Sequence, residues 1–143
     1  LFHSEEALLV MDCDLWFRSG PYLKMIKGSI NGEEKLDGGL LCFESDSPRY
    51  SYAEIKEGLV IRTAEKSVIS GCAIAGAYYF SKTSIFRNAA AKLLKIPIGS
   101  EMPEYYISSL FNIMLENGCV VKASNIEEYE SFGTPEELAE YLS

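Results

Sequence analysis

Short apolar runs separated by turn residues dominate the first 80 residues of the chain. The continuous run at 7–13 (ALLVMDC) predicts a central strand covered on both faces, and the run at 72–80 predicts a second apolar strand. Runs at 39–45, 49–55 and 58–64 are separated by the turn "DSP" and by a glycine, and they predict strands that include a hairpin or meander. This part of the chain is therefore expected to build a sheet, with a short helix from Pro21 through Lys27 before the second of these strands along the chain.

Helical spacing replaces these runs after residue 81. Apolar residues recur every three or four positions over 82–95 and over 104–117, which predicts two helices packed on the sheet. The segment 119–126 (CVVKASNI) predicts a further strand. In "GTPEELAEYL", Thr134 as N-cap and Glu137 three residues later form a capping-box pattern that begins a last helix. Alternating strands and helices indicate an α/β protein.

Composition narrows the class of protein. With 143 residues, 48% of them hydrophobic and 24% charged, the chain suits one globular domain, and no apolar run approaches the roughly 18 residues of a membrane span. The formal net charge of −8 repels phosphate backbones, so duplex nucleic acid is not expected as a partner. A small phosphorylated ligand stays open, because one local lysine and a divalent cation outweigh a screened surface charge.

The cysteines and the histidine exclude some chemistries. Cys13, Cys42, Cys72 and Cys119 are scattered without a C-x-x-C pair, so buried, reduced thiols in a reducing compartment are expected. His3 is the only histidine of the sequence, which argues against a histidine-based triad or a zinc site built from several histidines.

Two carboxylates follow the first apolar run. If the strand extends through residue 14, Asp12 and Asp14 point to the same side about 6.6 Å apart, taking roughly 3.3 Å per residue. Their repulsion is about 2.5 kcal/mol at an effective dielectric constant near 20, and a divalent cation would turn it into attraction. The alternative is that one aspartate caps the following turn while the other is solvated.

Further charged candidates lie in "RTAEKSVIS" and "MPEYYIS". Glu65 and Lys66 are adjacent, so in an extended chain they face opposite sides; a carboxylate in a pocket accepts hydrogen bonds from sugar hydroxyls and a lysine acts as a point charge for phosphate. The alternative is an exposed charge at a strand end. Glu104 stands at a predicted helix start, where interaction with the helix dipole alone explains an acidic residue.

The order of these motifs resembles the later part of a sugar-phosphate nucleotidyltransferase domain. The resemblance covers about residues 8–142 and rests on "LLVMDCD", "DSPRYSYAEI", "GLVIRTAEKSVIS", "CAIAGAYYF", "EYYISSLFNIMLENGCVV" and "FGTPEELAEYL". It implies a three-layer α/β/α sandwich of the Rossmann-like, GT-A-like kind. It also implies transfer of a nucleotidyl group from an NTP to a sugar 1-phosphate with release of pyrophosphate, in a cytoplasmic enzyme of nucleotide-sugar and surface-polysaccharide synthesis.

The resemblance also implies a metal site and a charged pair for the reaction. Asp14 matches an aspartate that binds Mg²⁺ at the end of a central strand, and Asp12 is a flanking carboxylate. Glu65 and Lys66 match an "EK" segment in which the first residue binds sugar hydroxyls and the second contacts phosphate. Because the reaction needs no protein nucleophile, catalysis would be positioning and charge neutralisation, with Asp14 and Lys66 as the catalytic residues.

The remaining residues implied by the resemblance line the sugar pocket. Gly76 and Tyr78 match its glycine and aromatic segment, and Glu104 and Tyr105 match a later pair that contacts the sugar. Relatives often carry a second metal-binding aspartate two residues before the glycine of "GTP", where this chain has Ser131.

The resemblance predicts a partial domain. The Gly-rich nucleotide loop of such enzymes would precede residue 1, so residues 1–143 are expected to form one partial domain, incomplete at the N-terminus, that binds sugar phosphate and metal without turnover alone. A homo-oligomer is compatible with this picture. Two alternatives stay open: a GT-A glycosyltransferase that uses the D-x-D metal site with a nucleotide-sugar, and a non-catalytic module that binds a sugar phosphate.

Overall fold

A six-stranded, mostly antiparallel sheet forms the centre of the protein in the computed structural model, which describes residues 5–143. Its strands are β1 (Leu8–Met11), β3 (Gly38–Glu44), β4 (Tyr52–Lys56), β5 (Leu59–Ala64), β6 (Cys72–Phe80) and β7 (Val121–Asn125). The order is β5-β4-β6-β3-β7, β1 also pairs with β6, and β3 and β7 are parallel. A separate antiparallel ribbon consists of β2 (Leu15–Arg18) and β8 (Glu128–Ser131).

Helices cover both faces of the sheet. Helix α1 (Gly20–Ile30) contacts β3 and β7, whereas α2 (Thr83–Leu93) and α3 (Ile107–Glu116) contact each other, β5 and β6; α4 (Pro135–Leu142) lies beside β8. Alternation along each strand sends neighbouring side chains to opposite layers. Leu40 therefore packs with α2 and α3, and Leu41 packs with α1. The three layers expected from the resemblance are present, and within residues 5–143 no helix is long and apolar enough to span a bilayer.

Most strands and helices lie where the apolar pattern predicts them. Strand β6 coincides with the predicted 72–80, the hairpin of β4 and β5 is present, and the Thr134–Glu137 capping box begins α4 as expected. Helix α3 begins three residues later than predicted, because Tyr106 has extended backbone angles (φ −115°, ψ 144°) and acts as its N-cap.

The predicted first strand is wrong in length and in burial. Strand β1 has four residues of alternating exposure, and the strands buried on both faces are β3 and β6. The ladder ends because Met11 pairs with Ala77 beside Gly76, which has a φ of +70°. Residue 12 leaves the strand and the next two residues form a turn into β2. Asp12 and Asp14 therefore do not share one strand, and the spacing argument for them does not apply.

The cysteine prediction is also corrected. Cys42 on β3 and Cys72 on β6 form a disulfide with a Cα–Cα distance of 5.6 Å, and Cys13 is exposed. The antiparallel register places Cys42 opposite Ile74 and Cys72 opposite Glu44, which brings two cysteines 30 residues apart side by side. Their spacing in the sequence carries no sign of this pairing.

Candidate functional site

A cavity of about 340 Å³ lies where β6, the segment before β4, the end of β5 and the entry to α3 meet. Predicted site residues gather there, and those that line it are Asp12, Glu65, Gly76, Tyr78 and Tyr105. A larger open groove of about 550 Å³ lies beside α1 and β7, but no predicted site residue lines it. The smaller cavity is therefore the candidate site.

Glu65 is the most firmly held charged group of the cavity. The hydroxyls of Ser51 and Ser108 both donate hydrogen bonds to its Oε2, the second over 3.0 Å. Ser108 is 2% exposed, so its hydroxyl bond is made away from water. Since no donor among residues 5–143 bonds Oε1, that oxygen remains for a hydroxyl of a bound molecule.

Lys66 and Glu104 do not line the cavity; each bonds the hydroxyl of Tyr106, which does. The chain bends after β5, where Lys66 has a φ of +50°, so Glu65 and Lys66 do not lie in the extended chain that the sequence argument assumed. The Lys66 Nζ donates to the Tyr106 hydroxyl over 3.2 Å and lies 5.3 Å from the centroid of that ring. The hydrogen bond to Tyr106 is the largest cause of a raised pKa of Lys66, so its side chain stays cationic.

Glu104 and Tyr105 are placed by hydroxyl hydrogen bonds. The Tyr106 hydroxyl donates to Glu104 Oε2 over 2.9 Å, which joins Glu104 to Lys66 through one ring. The Tyr105 hydroxyl donates to the carbonyl oxygen of Ile96 over 2.6 Å. Because its hydroxyl is occupied there, Tyr105 offers the cavity mainly its aromatic ring.

Asp12 and Gly76 form the floor of the cavity. The Asp12 backbone N–H donates to the Gly76 carbonyl oxygen over 2.9 Å, and the carboxylate of Asp12 lies over the Gly76 Cα, where any Cβ would overlap its Oδ2. Burial, and then the charge of Asp14, raise the pKa of Asp12. Burial also raises the pKa of Tyr78, with Asp12 and Glu65 as further causes, so the floor combines negative charge with a neutral phenol.

Asp14 lies outside this cavity, against the start of α4. Its carbonyl oxygen accepts from the Phe132 N–H over 2.8 Å. An ideal Cβ built on Gly133 would lie 3.1 Å from Asp14 Oδ2, 3.6 Å from Glu137 Oε2 and 3.7 Å from Ser131 Oγ. Three oxygen atoms thus surround the space that this glycine leaves open, and Ser131 bonds Glu137 over 2.9 Å.

Asp12 and Asp14 carry oxygen ligands of the kind that Mg²⁺ binds, but Asp12 contacts Gly76 whereas Asp14 lies beside Gly133. Across residues 5–143 no group of three or more acidic, histidine or cysteine side chains is arranged to hold a metal. Mg²⁺ is commonly bound by one or two carboxylates together with waters and substrate phosphates. Burial raises the pKa of Asp12 and the charge of Asp14 raises it further, and a divalent cation near both carboxylates would offset that repulsion.

Comparison with known proteins identifies the fold. No family model matches the chain, and no curated protein sequence matches it. A nucleoside-diphosphate-sugar pyrophosphorylase from Vibrio cholerae superimposes with a TM-score of 0.82 at 24% identity, over 95% of this chain and 55% of that one. A chain named as a glucose-1-phosphate thymidylyltransferase of Bacillus anthracis, in complex with a sucrose, gives a TM-score of 0.67 at 22% identity, over 95% and 53%. This chain has the fold of the sugar nucleotidyltransferases.

The chain spans about half the length of these two proteins. The superpositions confirm the fold that the sequence resemblance predicted, which is that of the sugar nucleotidyltransferases. At identities of 24% and 22% the likeness concerns the arrangement of strands and helices, and the roles of individual side chains rest on the geometry of the cavity.

Seven residues that line the cavity were not singled out by the sequence, and Arg49, Ser51, Tyr106 and Ser108 are among them. Ser51 fell inside a predicted strand and Ser108 inside a predicted helix, so nothing local marks them. Ser51 is 14 residues and Ser108 is 43 residues away in sequence from Glu65, which both contact. The one available signal was polarity, since "RYS" and "ISS" place polar residues beside apolar strand and helix positions.

Proposed function

We propose that this chain forms the sugar-phosphate-binding part of a sugar-1-phosphate nucleotidyltransferase. The observation that carries the proposal is Glu65, fixed by two serine hydroxyls inside a cavity whose lining residue Tyr106 bonds Lys66. The fold shared with two proteins named for nucleotide-sugar and sugar-phosphate chemistry supports it. On this proposal the enzyme is cytoplasmic and serves nucleotide-sugar and polysaccharide synthesis, and its homo-oligomerisation is a further expectation.

The ligand contacts follow from the cavity. Glu65 Oε1 accepts a hydrogen bond from a sugar hydroxyl, while the rings of Tyr78 and Tyr105 cover the less polar faces of the sugar. Gly76 lets the Asp12 carboxylate lie against β6 at the cavity, because a side chain on residue 76 would overlap it. Lys66, held by Tyr106 beside Glu104, places a positive charge at the edge, where the phosphate group enters.

The proposed reaction is an in-line displacement at phosphorus. An oxygen of the sugar phosphate forms a bond to the α-phosphorus of the NTP, and the bond from that phosphorus to pyrophosphate breaks. Asp14, with Asp12, would hold Mg²⁺, which when bound neutralises charge on the phosphates. The side chains of this chain orient the sugar phosphate and balance its charge, so their contribution is positioning and electrostatic stabilisation.

We also propose that residues 1–143 bind the sugar phosphate without completing the reaction. The sequence contains no Gly-rich loop with basic residues that would cradle a triphosphate. A purified chain supplied with Mg²⁺, an NTP and a sugar 1-phosphate is expected to release no pyrophosphate above background. Release of pyrophosphate would contradict this part of the proposal.

Calorimetric titration tests the binding proposal. The ligands are glucose 1-phosphate, mannose 1-phosphate and N-acetylglucosamine 1-phosphate, each against its parent sugar. At least one phosphate is expected to bind better than its sugar, with Glu65→Gln weakening both and Lys66→Met weakening only the phosphate, each by about tenfold. Glu54→Gln and Lys56→Met on the exposed hairpin are the matched controls.

The outcomes separate the classes of function. If none of the three phosphates binds better than its sugar, or if Glu65→Gln behaves like Glu54→Gln, the proposal is wrong. Binding that ignores Mg²⁺ and survives Asp14→Ala would instead identify a non-catalytic module. Transfer of a sugar from a nucleotide-sugar to an acceptor would identify a glycosyltransferase.

A further inference from the structure

Arg49 stands between two cavities. It lines the 340 Å³ cavity and also a neighbouring one of about 460 Å³ formed with Tyr129, Ser131 and Glu137. Its guanidinium carbon lies 4.8 Å from the centroid of the Tyr50 ring, and its Nη2 lies 3.3 Å from Glu137 Oε1. Among the residues from 5 to 143 that line either cavity, Arg49 is the only basic one.

The two cavities beside Arg49 are lined by carboxylates, so an anion that enters either of them needs a nearby positive charge. Asp12 and Glu65 line the first cavity, and three glutamates line the second. A phosphate entering the first cavity meets two carboxylates, and Lys66 compensates only from the edge. A guanidinium offers a planar fork of N–H donors that matches phosphate, so Arg49 is placed to supply the missing positive charge.

The ion pair between Arg49 and Glu137 is easily exchanged. The Arg49 side chain is 60% exposed, the contact is a single one over 3.3 Å, and such surface pairs contribute little stability. Glu137 does not depend on Arg49, because its Oε2 accepts from the Thr134 N–H over 3.1 Å and from Ser131 Oγ over 2.9 Å. The Tyr50 ring meanwhile keeps the guanidinium close to the cavity.

We infer that Arg49 binds the phosphate group of the sugar phosphate. To do so, Arg49 breaks its ion pair with Glu137. The inference rests on the proposed function and names the group that recognises the anionic end of its ligand. Glu137 competes with the ligand for Arg49, so the carboxylate at the start of α4 lowers the affinity for phosphate. A bound ligand therefore separates Arg49 from α4.

Two variants are expected to act in opposite directions. Arg49→Gln weakens binding of glucose 1-phosphate by about tenfold and leaves glucose unchanged, since a charge-assisted hydrogen bond is lost. Glu137→Gln tightens the same binding by about two- to fivefold, since the competing partner is neutral. Glutamine still accepts at the third helical position of a capping box, so α4 retains its start. Arg62→Gln, whose pair with Glu54 lies outside both cavities, is the control.

Titration with inorganic phosphate separates this inference from the proposed function. The inference is wrong if Arg49→Gln binds both phosphate and glucose 1-phosphate as the unmodified chain does, if neither anion binds to the Glu137→Gln variant, or if both variants shift affinity in the same direction. Arg49-dependent binding of inorganic phosphate, with glucose 1-phosphate no tighter, keeps the anion site and overturns the proposed function. Urea midpoints equal to that of the unmodified chain show that each variant is folded.

Discussion

Replacing Gly76 with alanine tests whether the close approach of Asp12 to β6 builds the cavity. Gly76 has a φ of +70°, and an added Cβ would lie 2.8 Å from Asp12 Cγ and 2.9 Å from Leu15 Cδ2. The new methyl group therefore meets a strained backbone and two side chains at once. Gly58 has a φ of +79° with nothing within 4 Å of its added Cβ, so Gly58→Ala measures the backbone effect alone.

The magnitudes follow from these two environments. A left-handed backbone costs a residue with a Cβ about 1–2 kcal/mol, so Gly58→Ala is expected to lower the free energy of unfolding by that amount. Overpacking adds about 1–3 kcal/mol, so Gly76→Ala is expected to cost about 2–5 kcal/mol in total. Removing the Asp12 carboxylate relieves one of the two contacts, and Leu15 retains the other.

Urea unfolding of the single and double variants measures these terms. The double variant Asp12→Ala/Gly76→Ala is expected to be more stable than the sum of the single effects allows, with a coupling of at least about 1 kcal/mol. The comparison requires equal m-values, which show that the same surface is exposed on unfolding. Equal costs for Gly76→Ala and Gly58→Ala, or simple additivity with Asp12→Ala, would refute the packing of Asp12 over β6.

Two further predictions concern charge and covalent structure. Because the pKa of Asp12 is raised in the folded state, its contribution to stability falls as the pH rises through that pKa. In EDTA, Asp12→Asn should therefore raise the urea midpoint at pH 7 and leave it unchanged at about pH 3. A variant with the midpoint of the unmodified chain at both pH values would contradict this. Reduction of the Cys42–Cys72 disulfide, with its sequence separation of 30, should lower the free energy of unfolding by about 3–4 kcal/mol, while Cys13→Ser has no effect. Free thiols at both positions without reductant, measured by alkylation and mass spectrometry, would disprove the bond.

Local signals account for the parts of the fold that the sequence predicts well. Strand β6 is a nine-residue apolar run, and helix α4 begins at a capping box made by residues three positions apart. The ribbon of β2 and β8 was missed, because its partners lie at opposite ends of the chain and Leu15 pairs with Ser131. The turn after β1 was missed for a related reason, since it depends on how Met11 pairs with β6.

Some residues of the candidate site were predictable from the sequence, and others were not. Glu65 and Tyr78 were predicted because a motif order points to them, and both line the cavity. The partners that orient the charges were not predictable, because they are brought together by tertiary structure: Ser108 reaches Glu65 across 43 residues, and Arg49 reaches Glu137 across 88. Motif order thus points to residues that line the cavity, and packing determines what each charge faces.

The two aspartates that first suggested a metal site show why this distinction matters. One intervening residue separates them in sequence, but the turn into β2 sends Asp12 to the cavity floor over Gly76 and Asp14 towards Gly133 at the start of α4. The Asp14 carboxylate therefore shares its surroundings with Glu137, the same residue that holds Arg49. Arg49 also lines the candidate site, so Glu137 lies between Asp14 and a residue of that cavity. If a phosphate binds Arg49 as proposed and separates it from Glu137, the carboxylates near Asp14 would be less neutralised, which would favour a divalent cation there.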